Sequence, residues 1–414
     1  MRRVVITGMG VVSPLGRGLE TNWNALKTGK SGVVFFPEAD GYPLAVKIAG
    51  HIPRGENSGQ LDVNSVLSVK EQRHHDAATL YGVAAAMDAM QDAGFLNSPV
   101  ENKEKFGVVF GSGQGGLNRF FDGVKIYLDQ GANRISPFFM PSIIINQTAG
   151  FLSIKYGLEG PNLAVSTACA TGTHSIGEAY QYIQAGYADR MLAGSTEAPL
   201  NPLGIAGFAQ MRALSKREDT PQQASRPWDK KRDGFVMAEG AGALVLEEYE
   251  SAKARGAKIY AEIIGYGLSA DAYHITAPGG TGAIRAMQMA LNQANLQPAH
   301  IDYINAHGTS TPAGDMVEFC AVKEVFGVDG PAMSSTKSMT GHMLGAAGSV
   351  EAVYSVLSLI HNVMPPTINL ANPEEETQGF NLVPNQAQEK QLNIVLSNSF
   401  GFGGTNACLI FKKV

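Results

Sequence analysis

Short apolar runs closed by glycine, serine or asparagine recur along the chain and alternate with longer stretches at helical spacing. The first run is Val4-Val5-Ile6-Thr7-Gly8. Gly8, Gly10 and Pro14 interrupt it, which predicts a first strand and turn rather than an apolar leader. A helix is predicted around residues 21–28. Residues 31–66, with Pro, Gly and Asn scattered through them, read as loops over a core. Residues 70–76 open a long helix, basic at its start, that continues through the alanine-rich residues 84–90. Further strands are predicted at 106–110, 190–195, 240–246, 258–265, 303–306, 332–334, 393–397 and 407–411. Helices are predicted at 250–255 and 344–359, and loops at 201–207, 211–217 and 225–229. Strand, small-residue turn and helix follow one another in both halves. The pattern implies a duplicated α/β unit divided near residue 255, with halves 1–255 and 256–414.

The stretch around which the rest is organised is 162–179. It opens apolar, tightens through Ser166-Thr167-Ala168-Cys169-Ala170-Thr171-Gly172, and continues with Ile176, Ala179 and Tyr180 at helical spacing. Cys169 therefore falls where a strand hands over to a helix. A helix N-terminus favours thiolate over thiol, and the small neighbours leave the sulfur approachable. A lone cysteine is as readily a small core residue, and on this stretch alone the two readings stand level.

The chain has 414 residues, 48 of them glycine, with 44% hydrophobic and 17% charged residues. That is enough for a large core. A net charge of -5 speaks against nucleic acid as a partner. Cysteines at 169, 320 and 408 form neither a zinc pattern nor a disulfide framework, which fits a reducing, cytoplasmic setting. No membrane-spanning segment is expected. Gly111, Gly113 and Gly116 match the spacing of a dinucleotide loop. No second strand ending in an acidic residue follows, so the glycines read as places of close backbone approach.

Four pieces stand at predicted strand ends: Cys169, His307, the pair Lys337 and His342, and the glycine loop 401–406. Each has a plain alternative as scaffold, surface cation, helix cap or turn. Cys320 and Cys408 read as core. Taken together, the four pieces answer one chemical need. A thiolate attacks a thioester carbonyl, glycine-loop N–H groups receive the oxyanion, two neutral imidazoles stabilise an enolate, and a buried ammonium supports the charge.

The same residues carry a family resemblance. Ser166-Thr167-Ala168-Cys169, Asn305-Ala306-His307-Gly308-Thr309-Ser310-Thr311, Lys337-Ser338-Met339-Thr340-Gly341-His342 and Asn398-Ser399-Phe400-Gly401-Phe402-Gly403-Gly404-Thr405-Asn406 resemble the signatures of the β-ketoacyl-[acyl-carrier-protein] synthases. The similarity is strongest to the type II elongating synthases, and it extends from Val4-Val5-Ile6-Thr7-Gly8 to Pro365-Pro366-Thr367-Ile368-Asn369.

The resemblance implies a thiolase-like duplicated αβαβα sandwich, normally a homodimer, that catalyses a decarboxylating Claisen condensation. Cys169 would take the acyl group, His307 and His342 would hold the malonyl thioester oxygen, and Lys337 would support the site with Glu351 as its partner. The amides of Cys169 and Phe402 would form the oxyanion hole. Thr309 and Thr311 would bind the pantetheine arm, and Phe400 and Phe402 would gate the acyl pocket that Gln114 lines. Lys70, Arg73, Arg134 and Arg212 would meet an acidic acyl-carrier protein, which brings its own phosphopantetheine, so that no metal or other cofactor is implied. A type II polyketide ketosynthase, a chain-length-factor subunit and a thiolase share the fold. The second lacks the nucleophile, and the third uses another cysteine where this chain has histidines. Two departures stand out: His74 replaces a basic residue of the docking patch, and Gln114 replaces an isoleucine of the acyl pocket.

Overall fold

The computed structural model describes residues 2–36, 41–96 and 101–414. Met1 and residues 37–40, the latter within the stretch expected as loops, lie outside the described residues. Among the described residues eleven strands join one mixed sheet, and ten of them fall into two sets with one plan. The first set is β1 (Val4–Ser13), β2 (Phe106–Gly111), β3 (Asn162–Leu163), β4 (Arg190–Glu197) and β5 (Gly240–Glu248). The second is β6 (Ala261–Ala270), β7 (Tyr303–Asn305), β8 (Ala332–Ser334), β9 (Ile394–Gly401) and β10 (Thr405–Lys412).

From the middle outward the first set runs β1-β5-β4-β2-β3 and the second β6-β10-β9-β7-β8, the same order. The directions repeat as well. The two outer pairings of each set are parallel and the two inner ones antiparallel. The sets meet where β1 pairs antiparallel with β6 at Val4–Ile263, Val5–Glu262 and Ile6–Ala261. Arg3 clamps that seam through two hydrogen bonds to Glu262, at 2.8 and 2.6 Å.

Helices α1 (Ala77–Asp92) and α2 (Gln147–Tyr156) cover the outside of the first set, and α4 (Thr281–Gln293) and α5 (Pro312–Phe326) that of the second. Between the sets lie α3 (Thr171–Gln184) and α6 (Ala347–His361), which touch strands of both. A helix with a sheet on each side must be apolar or small all round, and every residue of α6 from Ala347 to Leu359 is buried. The two inner helices cross at Gly172 and Gly348. A Cβ on Gly172 would lie 2.4 Å from the Ser349 nitrogen, and one on Gly348 2.7 Å from that of Thr173. Ser195 of β4 bonds Ser349 of α6, and Ser399 of β9 bonds Thr173 of α3, both at 2.7 Å. The result is five layers, α-β-α-β-α.

Several elements depart from the sequence reading. β1 does not stop at Gly8 but continues to Ser13, because α1 packs so closely that a Cβ on Gly8 would lie 2.3 Å from the Ala89 carbonyl oxygen. The stretch read as loops holds an antiparallel pair, Val33–Phe35 with Ile48–Gly50, and a short helix, Val63–Val66. The long helix from residue 70 is two. Val69–His74 starts at a Ser68–Glu71 capping box, and α1 restarts with Asp76 as its N-cap. Pro202–Gln210, read mostly as loop, is a helix capped by Asn201. Cys320 is exposed on α5, not core, whereas Cys408 is buried. Leu344–His361 is long and apolar enough to cross a membrane, which the sequence reading overlooked, but 89% of it is buried within the fold.

Candidate active site

Cys169 does not follow a strand directly. After Asn162–Leu163 the chain runs irregular into the turn Ala168–Ala170, and α3 begins at Thr171. Ala168 takes a left-handed conformation (φ 48°), uncommon for a residue with a side chain. Thr171 holds it there, since its hydroxyl donates to the Ala168 carbonyl at 2.7 Å and accepts the Thr167 N–H at 2.8 Å. Thr405 donates to the Thr167 carbonyl at 3.0 Å and ties the turn to β10. Gly401 lies so close that a Cβ there would be 3.1 Å from the Cys169 nitrogen.

The helix N-terminus does not make Cys169 a resting thiolate, contrary to the sequence reading. Burial pushes the thiol up to about 12, reinforced by the Glu197 carboxylate. The Lys337 ammonium and the backbone N–H groups of Phe402 and Cys169 pull the other way. The sulfur thus rests as a thiol with the two amides turned toward it. Charge created there during reaction meets donors already in place.

The second half supplies the remaining groups. His307 follows β7, and Glu318 of α5 accepts its N–H at 2.8 Å and that of Gly308 at 2.7 Å. His342 is fixed through its backbone, donating to Val236 at 2.7 Å and accepting from Ala238 at 2.9 Å. The two rings stand nearly perpendicular with centroids 5.3 Å apart. Burial, aided by the Lys337 ammonium, holds both imidazoles well below the ordinary histidine value, so both are neutral. The Nδ1 atoms of both rings are buried without a protein partner. Lys337 lies behind them, fully buried, and donates to Glu351 of α6.

Cys169, His307, His342, Thr309, Thr311, Phe400, Phe402, Gln114 and Arg212 all line one cavity of 640 Å³. Lys337 and Glu351 do not reach it. The hydroxyls of Thr309 and Thr311 are 3.1 Å apart, and Thr311 also caps α5. Lys70 and Arg73 are exposed on the short helix Val69–His74, and Arg73 borders a smaller cavity with Arg119 and Phe138. His74 stacks on Phe138 at 3.6 Å. Arg134 is exposed at the end of the turn Ala132–Arg134, so that of the four docking cations Arg212 alone lines the large cavity.

Two buried acids escaped the sequence reading. Glu318 orients the His307 loop. Glu197, at the end of β4, accepts from the Ser112 hydroxyl at 2.9 Å and from the N–H groups of Gly113 (2.8 Å), Gln114 (3.1 Å) and Gly345 (3.0 Å). Burial raises its carboxyl to about 7. An acid closing a run of buried strand residues was the available signal.

A buried thiol beside two amides shares one cavity with two neutral imidazoles, a set of groups suited to an acyl-transferring enzyme. The β-ketoacyl synthase N-terminal domain matches residues 1–252, and the β-ketoacyl synthase C-terminal domain matches residues 260–371. The chain belongs to the β-ketoacyl synthase family. It is 50% identical over 418 residues to 3-oxoacyl-[acyl-carrier-protein] synthase 2 of Vibrio harveyi, covering 100% of this chain and 99% of that one. A solved β-ketoacyl synthase from Burkholderia phymatum superposes with a TM-score of 0.91 at 37% identity, over 100% of both chains. A type II polyketide ketosynthase solved with its acyl-carrier protein gives 0.89 at 34% identity, over 100% and 99%. The fold is thiolase-like, and the protein is an acyltransferase that forms 3-oxoacyl products by condensation, the chemistry of fatty-acid elongation.

Proposed function

We propose that Cys169 carries the growing acyl chain and that His307 and His342 activate malonyl-carrier protein for decarboxylative condensation. The observation that carries this reading is the Cys169 sulfur beneath the Phe402 and Cys169 amides, on the same cavity as two imidazoles kept neutral by burial. In the first step the sulfur attacks the acyl thioester carbon, and the pantetheine thiol leaves with the Cys169 proton. The oxyanion of that step rests on the two amides. In the second step the malonyl carboxylate leaves as carbon dioxide, and its bonding pair passes to the thioester enolate, whose oxygen His307 and His342 hold. The enolate carbon then attacks the Cys169 acyl carbon. The new carbon–carbon bond forms, the carbon–sulfur bond breaks, and the thiolate regains a proton. Because the thioester oxygen takes the electron pair under two N–H donors, no step calls on a metal or nucleotide cofactor.

An acyl-carrier protein fits as partner, since its pantetheine arm can pass Thr309 and Thr311 while Lys70, Arg73, Arg134 and Arg212 offer positive charge outside. A homodimer is favoured by one apolar face: Phe120, Val124, Tyr127 and Leu128 are exposed on the helix Leu117–Gln130, together with Phe138 and Met140. Three unpaired thiols suit a cytoplasmic setting. The halves 1–255 and 256–414 each supply part of the site.

Incubation with acyl- and malonyl-carrier proteins is expected to give a 3-oxoacyl product two carbons longer with release of one carbon dioxide, read by mass spectrometry. Absence of that product with every acyl chain offered would overturn the reading. For docking, reversing Lys70 and Arg73 to Glu is expected to raise KM for carrier-bound substrate roughly ten-fold and to flatten its salt dependence. The ratio of carrier-borne to carrier-free turnover should fall; an unchanged ratio would place docking elsewhere.

A further inference from the structure

The loop after β2, Ser112-Gly113-Gln114-Gly115-Gly116, has one long side chain, that of Gln114, which lines the cavity that holds Cys169. The Gln114 Oε1 atom is buried and accepts no hydrogen bond. The loop N–H groups from Gly113 to Gly116 are all taken by other acceptors. The N–H groups of Gly113 and Gln114 go to Glu197, that of Gly115 to the Ser112 hydroxyl at 2.9 Å, and that of Gly116 to Ile143 at 3.2 Å. The Ser112 hydroxyl itself donates to Glu197. These four N–H groups and the hydroxyl are therefore committed, and the loop is pinned by a carboxylate that also accepts from Gly345, which packs directly against Gly113. A buried carbonyl left unpaired is unfavourable, and an all-methylene chain lying against it cannot relieve it.

We propose that Gln114 selects acyl chains that carry a hydrogen-bond donor, a hydroxyl in the simplest case, over saturated chains of the same length. This rests on the acyl-carrying role of Cys169 given above. The bound hydroxyl supplies the donor that the loop cannot. A site built around such a contact discriminates against the analogue that lacks it, because the protein group is then left unpaired again. The hydroxyl also keeps its own hydrogen bond on leaving water, whereas an apolar pocket would strip it.

The test uses the full-length enzyme with pantetheine thioesters of one chain length, saturated or bearing a hydroxyl moved stepwise along the chain. Acyl transfer to Cys169 is measured as kcat/KM for each. For the native enzyme one hydroxyl position is expected to exceed the saturated chain by about ten-fold or more, the factor that matches about 1.4 kcal/mol. Gln114→Met, which keeps the length and removes the amide, is expected to abolish that preference and to favour the saturated chain. Its melting temperature should rise by roughly 1–3 °C as an unpaired buried amide is lost, which also checks that the variant folds. A native enzyme that prefers the saturated chain at every position, with Gln114→Met giving the same profile, overturns the inference while leaving condensation intact. Failure of every thioester to acylate Cys169 would instead overturn the functional reading beneath it.

Discussion

Replacing Cys169 with alanine is expected to abolish acyl transfer and condensation, by roughly 10³-fold or more, while malonyl decarboxylation persists. In the proposed mechanism the sulfur forms the covalent bond of the first half-reaction, and no other thiol among the described residues lines the cavity to stand in for it. Cys408 is buried in β10, where its thiol donates to Asn398 at 2.8 Å, and it does not line the cavity. His307→Ala and His342→Ala are expected to show the reverse. A labelled acyl group should still accumulate on Cys169, whereas release of labelled carbon dioxide should fall roughly 10²–10³-fold, the usual worth of a donor aimed at developing charge. The division follows from position, since the amides of Phe402 and Cys169 face the sulfur and the imidazoles face the cavity beyond it. Equal losses of both half-reactions in all three variants would mean that the groups act as one unit.

Lys337→Met is expected to destabilise the fold by about 3–5 kcal/mol near neutral pH, because it strands the buried Glu351 carboxylate. Glu351→Leu added to it should restore most of the loss, read from denaturant midpoints. The deficit has a definite pH course. Burial raises the Glu351 carboxyl above its ordinary 4.5 even with Lys337 beside it. The folded protein therefore holds that proton more tightly than the unfolded chain does, and the contribution of Glu351 to stability falls as pH rises through the raised value. Without Lys337 the value moves higher still. The deficit should be small near about pH 4 and largest above neutrality. Activity offers a second readout. Lys337 helps to hold His307 and His342 neutral, so its loss should let both bind protons at higher pH and move the acidic limb of the decarboxylation profile upward. A merely structural lysine would lower the rate without moving that limb.

What could be read in the chain and what could not divides along physical lines. Cys169, His307 and His342 announce themselves because small residues and strand ends surround them, and both features are local. The repeat of strand, tight turn and inner helix is local too. Burial is not. Glu197 and Glu318 look like any other acids in the sequence, and only the closed fold shows that backbone N–H groups converge on them. The thiol of Cys169 was misjudged for the same reason: the helix start is visible in the chain, but the desolvation that outweighs it is not. Gly8 signalled a break where it permits contact with α1. Asn201-Pro202 carried the cap and first-turn signs of a helix, but the many loop-forming residues around them outweighed these signs.

The matched strand orders also set individual residues in register across the two halves. Ser195 and Ser399 are each sixth in their strands, and Thr173 and Ser349 are each third in their helices. Ala168 and Leu344 open equivalent turns with φ of 48° and 47°. By the same register Cys169 answers to Gly345, and Glu197 to Gly401. At one of the two matched turns the Glu197 carboxylate accepts the Gly345 N–H, within a nest of donors. At the other, Gly401 brings no side chain to the Cys169 N–H, which the proposed mechanism gives to the oxyanion of each acyl transfer. The repeated plan thus yields one anion nest closed by the chain's own acid and one left open at Cys169. Gly401 in place of an acid, together with Cys169 in place of a glycine, separates the closed copy from the open one.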